Sequence, residues 1–71
     1  MDELDMLIEK IVREKLSEKN FATVMELYEA VNSVKIIPVS HLRYVLRKLL
    51  MKKEIKLERA KKFADWKVYK I

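Results

Sequence analysis

The chain has 71 residues, so one domain over residues 1–71 is expected, with a thin core because short chains bury only about 60% of their unfolded surface. The absence of cysteine excludes a disulfide framework and thiolate metal sites. No apolar run approaches the roughly 18 residues that cross a membrane, and the acidic start Met1-Asp2-Glu3 differs from a secretory signal, so we expect a cytoplasmic protein.

Charge is divided unevenly between the two halves of the chain. Residues 1–34 hold four basic and eight acidic side chains, a net charge of −4. Residues 35–71 hold twelve basic and three acidic side chains, a net charge of +9. This segregation predicts a dipolar surface whose basic half suits a polyanion such as nucleic acid. The alternative is a set of lysines that only keep the protein soluble, but these would not all fall in one half.

Residues 2–19 predict an amphipathic helix. Asp2 is a candidate N-cap, and Asn20 is suited to the left-handed conformation that ends a helix. The apolar residues of this segment recur at the i, i+3, i+4 spacing of a single stripe: Leu4, Leu7, Ile8, Ile11, Val12 and Leu16. We expect its glutamates to lie on the exposed face and to pair with nearby lysines: Glu3, Glu9, Glu14 and Glu18.

A short second helix is predicted after an extended bridge at Phe21-Ala22. Thr23 and Glu26 have the spacing of a capping box, in which each side chain bonds the backbone amide of the other residue. The helix is expected to run to Val31 and to end at Asn32-Ser33 in the same left-handed manner as at Asn20.

A third helix is predicted over His41–Lys53, with Ser40 as its N-cap after the boundary marked by Pro38. Its core-facing residues share about 100° of arc: Leu42, Val45, Leu46 and Leu49. The opposite face carries Arg43, Tyr44, Arg47 and Met51, flanked by Lys48. His41 has no second histidine or cysteine near it to share a metal, so we expect it on the surface or facing phosphate.

The apolar period changes from 3.6 to 2 near Glu54, which predicts two strands. Ile55 and Leu57 alternate with charged residues in the first, and residues 66–71 form the second, whose inward face the pattern leaves open. The loop over residues 60–65 has no glycine and is expected to be longer than a two-residue turn. The scarcity of glycine and proline, with many Lys, Glu and Ile, would also suit a protein from a hot environment.

The order helix, extended piece, helix, helix, strand, basic loop, strand resembles the winged helix-turn-helix superfamily. The resemblance covers nearly the whole chain, is closest to the small stand-alone proteins of archaea and their viruses, and is carried by residues 23–28, 39–50, 53–57 and 66–71. It implies an α+β winged helix, with a three-helix core and a C-terminal two-stranded β-hairpin as the wing. The glycine-free wing and the long connector at 32–39 depart from the superfamily pattern.

In this superfamily the third helix enters the major groove and the wing lies over adjacent backbone or minor groove. The resemblance therefore implies helix contacts from Ser40, Arg43, Tyr44, Arg47 and Lys48. It implies wing contacts from Arg59, Lys61, Lys62 and Lys67. For Phe63, the alternatives are insertion into a groove or folding back as a plug on the strands, and Tyr44 contacts either a base or Lys48. Trp66 is expected to act as a lid on the core.

These features favour a duplex DNA-binding protein, acting as a transcription or chromatin-associated regulator near the nucleoid, with a homodimer as one possible assembly. The alternative is a small accessory subunit that docks on a larger replication or transcription protein through its apolar, acidic first half. Binding of RNA or a single strand through Phe63 and Tyr44 is a third reading. Because no nucleophile–base pair or metal-ligand set is recognisable, we expect neither an enzyme nor a cofactor.

Overall fold

The computed structural model describes residues 2–71, which form an α+β domain of three helices and a three-stranded sheet. The elements in chain order are α1 (Glu3–Lys19), β1 (Phe21–Thr23), α2 (Val24–Asn32), α3 (Val39–Met51), β2 (Ile55–Glu58) and β3 (Lys67–Lys70). The expected α+β class is confirmed, and the arrangement is compatible with a winged-helix-like fold. Along residues 2–71, no helix is both long and apolar enough to cross a membrane.

Local capping sets both ends of α1 as predicted. The Asp2 carboxylate accepts a hydrogen bond of 2.9 Å from the Leu4 amide, which satisfies a donor that the first helical turn leaves free. At the other end Asn20 has φ 70°, and its amide donates to the Leu16 carbonyl at 2.9 Å. Asparagine therefore takes here the positive-φ conformation that glycine adopts at the ends of many helices.

The capping box at the start of α2 is confirmed, but the predicted end of this helix is wrong. Thr23 Oγ1 accepts from the Glu26 amide, and Glu26 Oε1 accepts from the Thr23 amide, each at 3.2 Å. At the C-terminal end Ser33 has the right-handed value φ −71°. Asn32 instead accepts a 2.9 Å hydrogen bond from the Ile37 amide, so its side chain ties down the connector rather than reversing the chain.

The bounds of α3 also differ from the expectation. The helix begins at Val39, with Pro38 as N-cap, and Ser40 makes no capping hydrogen bond because it already lies within the first turn. The Pro38 carbonyl, held in extended backbone, accepts from the His41 amide at 3.0 Å. The helix ends at Met51 rather than at Lys53, which has φ 61° and turns the chain into β2.

The sheet has three strands in the order β1-β3-β2, all antiparallel. The predicted hairpin of β2 and β3 is present, but the expectation that the sheet has only two strands is wrong, because β1 joins it. The extended bridge after α1 pairs with β3, which thereby becomes the central strand. One cross-strand row, Ala22, Val68 and Leu57, faces the helices, with Val68 fully buried. This row settles which face of the last strand points inward.

The core lies between the three helices and the inner face of the sheet. It is formed chiefly by Ile8, Val12, Leu16, Leu27, Val31, Leu42, Val45, Leu46, Leu49 and Val68. The four predicted core residues of α3 are each 2% exposed or less, which confirms that prediction. Since burying one such side chain contributes roughly 1.5–3 kcal/mol, they fix how α3 presents its other face to solvent.

Candidate nucleic-acid interface

An acidic pair on α1 engages one side of α3. Asp5 and Glu9 are 6% and 4% exposed, so the expectation that Glu9 lies on an exposed face is wrong. His41 Nε2 lies 2.6 Å from Asp5 Oδ1, and Lys48 Nζ lies 3.5 Å from Asp5 Oδ2. Lys52 Nζ lies 3.6 Å from Glu9 Oε1. Buried carboxylates need such partners, which explains how two acidic residues are accommodated against α3.

The environment of Asp5 favours its charged form. The hydrogen bond with His41 is the largest cause that lowers the pKa of this carboxyl, burial opposes it, and the nearby Lys48 ammonium lowers it further. His41 is therefore a partner of α1, and its expected position on the surface or facing phosphate is wrong. Lys48 is likewise turned toward α1, with 26% of its side chain exposed.

The opposite side of α3 carries exposed side chains that take part in none of the ion pairs found within residues 2–71. Arg43 and Arg47 are exposed and lie one helical turn apart, and Ser40 is exposed at the start of the same face. Tyr44 is 55% exposed, and the Lys48 ammonium lies 5.5 Å from the centre of its ring. The structure therefore supports the alternative in which Tyr44 contacts Lys48.

The β2–β3 loop, residues 59–66, is folded around two aromatic side chains. Phe63 opens a short 3-10 turn, and its ring meets that of Trp66 edge to face, with centroids 5.0 Å apart and an interplanar angle of 74°. Trp66 Nε1 donates to the Ala60 carbonyl at 3.0 Å. Both rings are half-buried against the core, which favours the plug for Phe63 and confirms the lid for Trp66.

Three arginines line one cleft between α3 and this loop, here called the α3–loop cleft. Its walls are Arg43, Leu46, Arg47, Leu50, Leu57, Arg59, Phe63 and Trp66. The Arg43 guanidinium lies 5.3 Å from the centre of the Phe63 ring, and that of Arg59 lies 5.2 Å from the centre of the Trp66 ring. None of the ion pairs found within residues 2–71 involves these arginines.

The remaining candidate residues of the loop region fall into two groups. Lys61 and Lys62 are exposed in the β2–β3 loop, immediately before Phe63 in the sequence. Lys67 instead lies on the outer face of the sheet, where its ammonium is 4.0 Å from Glu58 Oε1 and 5.8 Å from the centre of the Phe21 ring. The structure thus brings Arg43, Arg47, Arg59 and Phe63 together, and it separates Lys48 and Lys67 from them.

Sequence reasoning missed the part of Trp66 in this cleft. A lid on the core was predicted, but its ring also lies under the Arg59 guanidinium. The sequence signal was the spacing of Phe63 and Trp66, which lie three residues apart in a basic loop. A single helical turn brings residues at that spacing together, and here the two rings meet edge to face.

Comparison with known proteins finds no matching family model, no matching curated protein and no matching solved structure. The functional interpretation therefore depends on the geometry and charge of this chain alone.

Proposed function

We propose that this chain binds duplex DNA as a winged-helix protein, with α3 as the recognition helix and the β2–β3 loop as the wing. The observation that supports it best is the convergence of Arg43, Arg47 and Arg59 on one cleft, while none of the ion pairs of residues 2–71 includes them. A guanidinium presents its donors in a planar fork that matches phosphate oxygens or the major-groove edge of guanine. Arginines that α3 and the loop bring together in this way are suited to bind phosphate or guanine.

The ion pairs of α3 lie on one side of the helix, so its positive charge is concentrated on the other side. One side of the helix is neutralised by Asp5 and Glu9, whereas the side that carries Arg43 and Arg47 is left positive. A helix of 13 residues is about 20 Å long and fits a major groove roughly 12 Å wide. With α3 in the groove, Lys61 and Lys62 on the loop are suited to contact the neighbouring phosphates.

We propose that this activity serves transcription or chromatin organisation near the nucleoid, with a homodimer as the binding unit. Two-fold symmetry would place two recognition helices about 34 Å apart along the duplex. The acidic first half of each chain, with its net charge of −4, would then face away from the DNA.

The test is a salt titration of binding to a 20-bp duplex and to single strands of the same sequence. With about five phosphate contacts, log K should fall against log salt with a slope near −4 to −5 for the duplex. The pair Arg43→Ala and Arg47→Ala should weaken duplex binding by roughly 2–6 kcal/mol, from about 1–3 kcal/mol for each bidentate contact.

The matched control removes two positive charges from α1 by Lys10→Ala with Lys15→Ala, and it should retain most of the affinity. Circular dichroism should show both double variants folded, since the arginines are exposed. Parent-like binding by the arginine variant, or a preference for the single strand, would contradict recognition of duplex through α3.

A second candidate function is docking of this chain on a larger replication or transcription protein. The supporting observation lies around the start of α3, where Ile36 and Val34 of the connector are 86% and 61% exposed and Val39, the first residue of α3, is 46% exposed. Contiguous exposed apolar side chains are typical of protein contact sites. This function predicts weak DNA binding with a shallow salt slope, and loss of partner binding in Ile36→Ser with DNA binding unchanged.

A further inference from the structure

We propose that Phe63 is a positioning residue, whose ring holds the Arg43 guanidinium in a fixed orientation and so makes Arg43 the guanine-reading side chain of the interface. This inference rests on the proposed binding of duplex DNA and specifies which sequence feature is read. The observation behind it is the guanidinium of Arg43, an α3 residue, 5.3 Å above the ring of Phe63, a loop residue. A cation over an aromatic ring is attracted by the negative face of the ring.

The ring itself is held in place from several directions. It meets Trp66 edge to face at 5.0 Å, and the Trp66 indole is anchored by its hydrogen bond to the Ala60 carbonyl. The Trp66 backbone carbonyl accepts from the Val24 amide at 2.9 Å, which ties the loop to the start of α2. Phe63 is therefore a fixed support, unlike a side chain at the tip of a mobile loop.

Arg47 provides an internal contrast to Arg43. It lies one turn further along the same exposed face, yet no aromatic ring within residues 2–71 lies under its guanidinium. An arginine that is already oriented loses less rotamer freedom on binding, and its donors can select one base geometry. The arrangement suits Arg43 to bidentate pairing with guanine O6 and N7, and Arg47 to a phosphate.

The experiment replaces Phe63 by leucine, which keeps an apolar side chain and removes the ring. Fluorescence anisotropy compares a 20-bp duplex rich in G·C pairs with an A·T-only duplex of equal length. Affinity for the G·C-rich duplex should fall about three- to tenfold, the range expected for a partly desolvated cation–π contact. Affinity for the A·T-only duplex should change by less than about twofold, and the salt slope should stay the same because no charge is removed.

The matched control is Phe21→Leu on the outer face of the sheet, where a ring also lies beneath an ammonium, that of Lys67, at 5.8 Å. This variant should bind both duplexes like the parent. Phe63→Tyr, which keeps the ring, should restore the preference for G·C-rich DNA. In an Arg43→Ala background, Phe63→Leu should have no further effect, because residues that act through one another are not additive.

Equal loss on both duplexes, or additive losses with Arg43→Ala, would mean that Phe63 has only a structural role and would overturn the inference. If the parent binds no duplex at all, the proposed function fails, and the positioning is judged by NMR without DNA. The Arg43 Nε–H group should then be more ordered than that of Arg47, and Phe63→Leu should abolish the difference. Equal order of the two groups in the parent would also refute the positioning role.

Discussion

Asp5 of α1 and His41 of α3 are joined by a contact of 2.6 Å between Oδ1 and Nε2, across the interface of the two helices. Lys48 approaches the second carboxylate oxygen of Asp5 at 3.5 Å, so the carboxylate is contacted by two side chains from the same face of α3. This contact supports the rotation of α3 about its axis that the buried core residues of the helix set, with Arg43 and Arg47 on the solvent side. The interface is thus set by charge as well as by apolar packing.

Replacement Asp5→Asn should lower the free energy of unfolding by about 1–2 kcal/mol. Asparagine lacks the negative charge and one of the two acceptor oxygens, so either His41 or Lys48 loses its acceptor, and the solvent exposure of Lys48 limits the penalty. Urea denaturation at pH 6 measures the effect. Glu14→Gln, at an exposed position of the same helix, is the control and should change stability by less than about 0.5 kcal/mol. A neutral Asp5→Asn would mean that apolar packing alone sets the interface.

The same contact predicts how stability depends on pH. The pKa of Asp5 is lowered in the folded state, chiefly by the hydrogen bond with His41, so the folded protein holds this proton less tightly than the unfolded chain. The stabilisation is fully present above the unfolded pKa, near 3.8, and is lost as pH falls through the lower folded value. Urea titrations between pH 2 and 6 should show a steeper acid decline for the parent than for Asp5→Asn. Parallel curves would contradict the assignment.

Replacement by alanine should change the stability of the protein differently at Thr23, which caps α2, and at Ser40, in the first turn of α3. Thr23→Ala removes an acceptor that bonds the Glu26 amide at 3.2 Å and should cost about 1 kcal/mol. Ser40→Ala removes no capping hydrogen bond and should be neutral or slightly stabilising, since alanine favours a helix interior. Thermal unfolding of the two variants makes the comparison, and a larger loss for Ser40→Ala would restore serine as the cap of α3.

Interactions close in sequence account for what could be predicted from the sequence. The Asp2 cap, the Thr23–Glu26 box and the apolar face of α3 all depend on residues within one or two turns, and each is present. The third strand was missed because residues 21–23 are too short to show a period, and their partner lies at residues 67–69. Pairing between two segments that lie so far apart in the sequence leaves no recognisable pattern within either segment.

Tertiary contacts also explain the errors in the candidate site. Glu9 has the sequence context of an exposed helix residue, but it is 4% exposed, and Lys52, the residue that caps α3, approaches its carboxylate at 3.6 Å. Lys48 was grouped with the arginines because they share one helix, but Asp5 draws it to the other side. The cleft itself was not predictable, since it depends on how the Phe63–Trp66 turn folds back toward α3.

Substitution Lys53→Gly should stabilise the protein by about 0.5–1 kcal/mol. Lys53 has φ 61°, a left-handed conformation in which a side chain beyond Cα is unfavourable and glycine is not. Its amide donates to the Leu50 carbonyl at 3.0 Å, a bond that glycine preserves. Lys53→Ala is the matched control, because it removes the same charge but keeps Cβ, and it should not stabilise. Equal melting temperatures for the two variants would contradict the conformational explanation.

The last prediction concerns the lysines of the β2–β3 loop. Lys61 and Lys62 are exposed in the β2–β3 loop, and neither forms one of the ion pairs found within residues 2–71, so both are free to neutralise phosphate. Replacing both by alanine should reduce the salt slope by about one to two units, since each phosphate contact contributes roughly −0.9.

Because phosphates carry no sequence information, affinity should fall by a similar factor for G·C-rich and A·T-only duplexes. Salt titrations of both duplexes with the parent and with Lys61→Ala, Lys62→Ala make the measurement, and Lys10→Ala with Lys15→Ala controls for the change in net charge. The docking function predicts weak binding, a shallow slope and little response to the loop lysines. Tight binding with a slope near zero would contradict both functions, because neither surface could then account for the affinity.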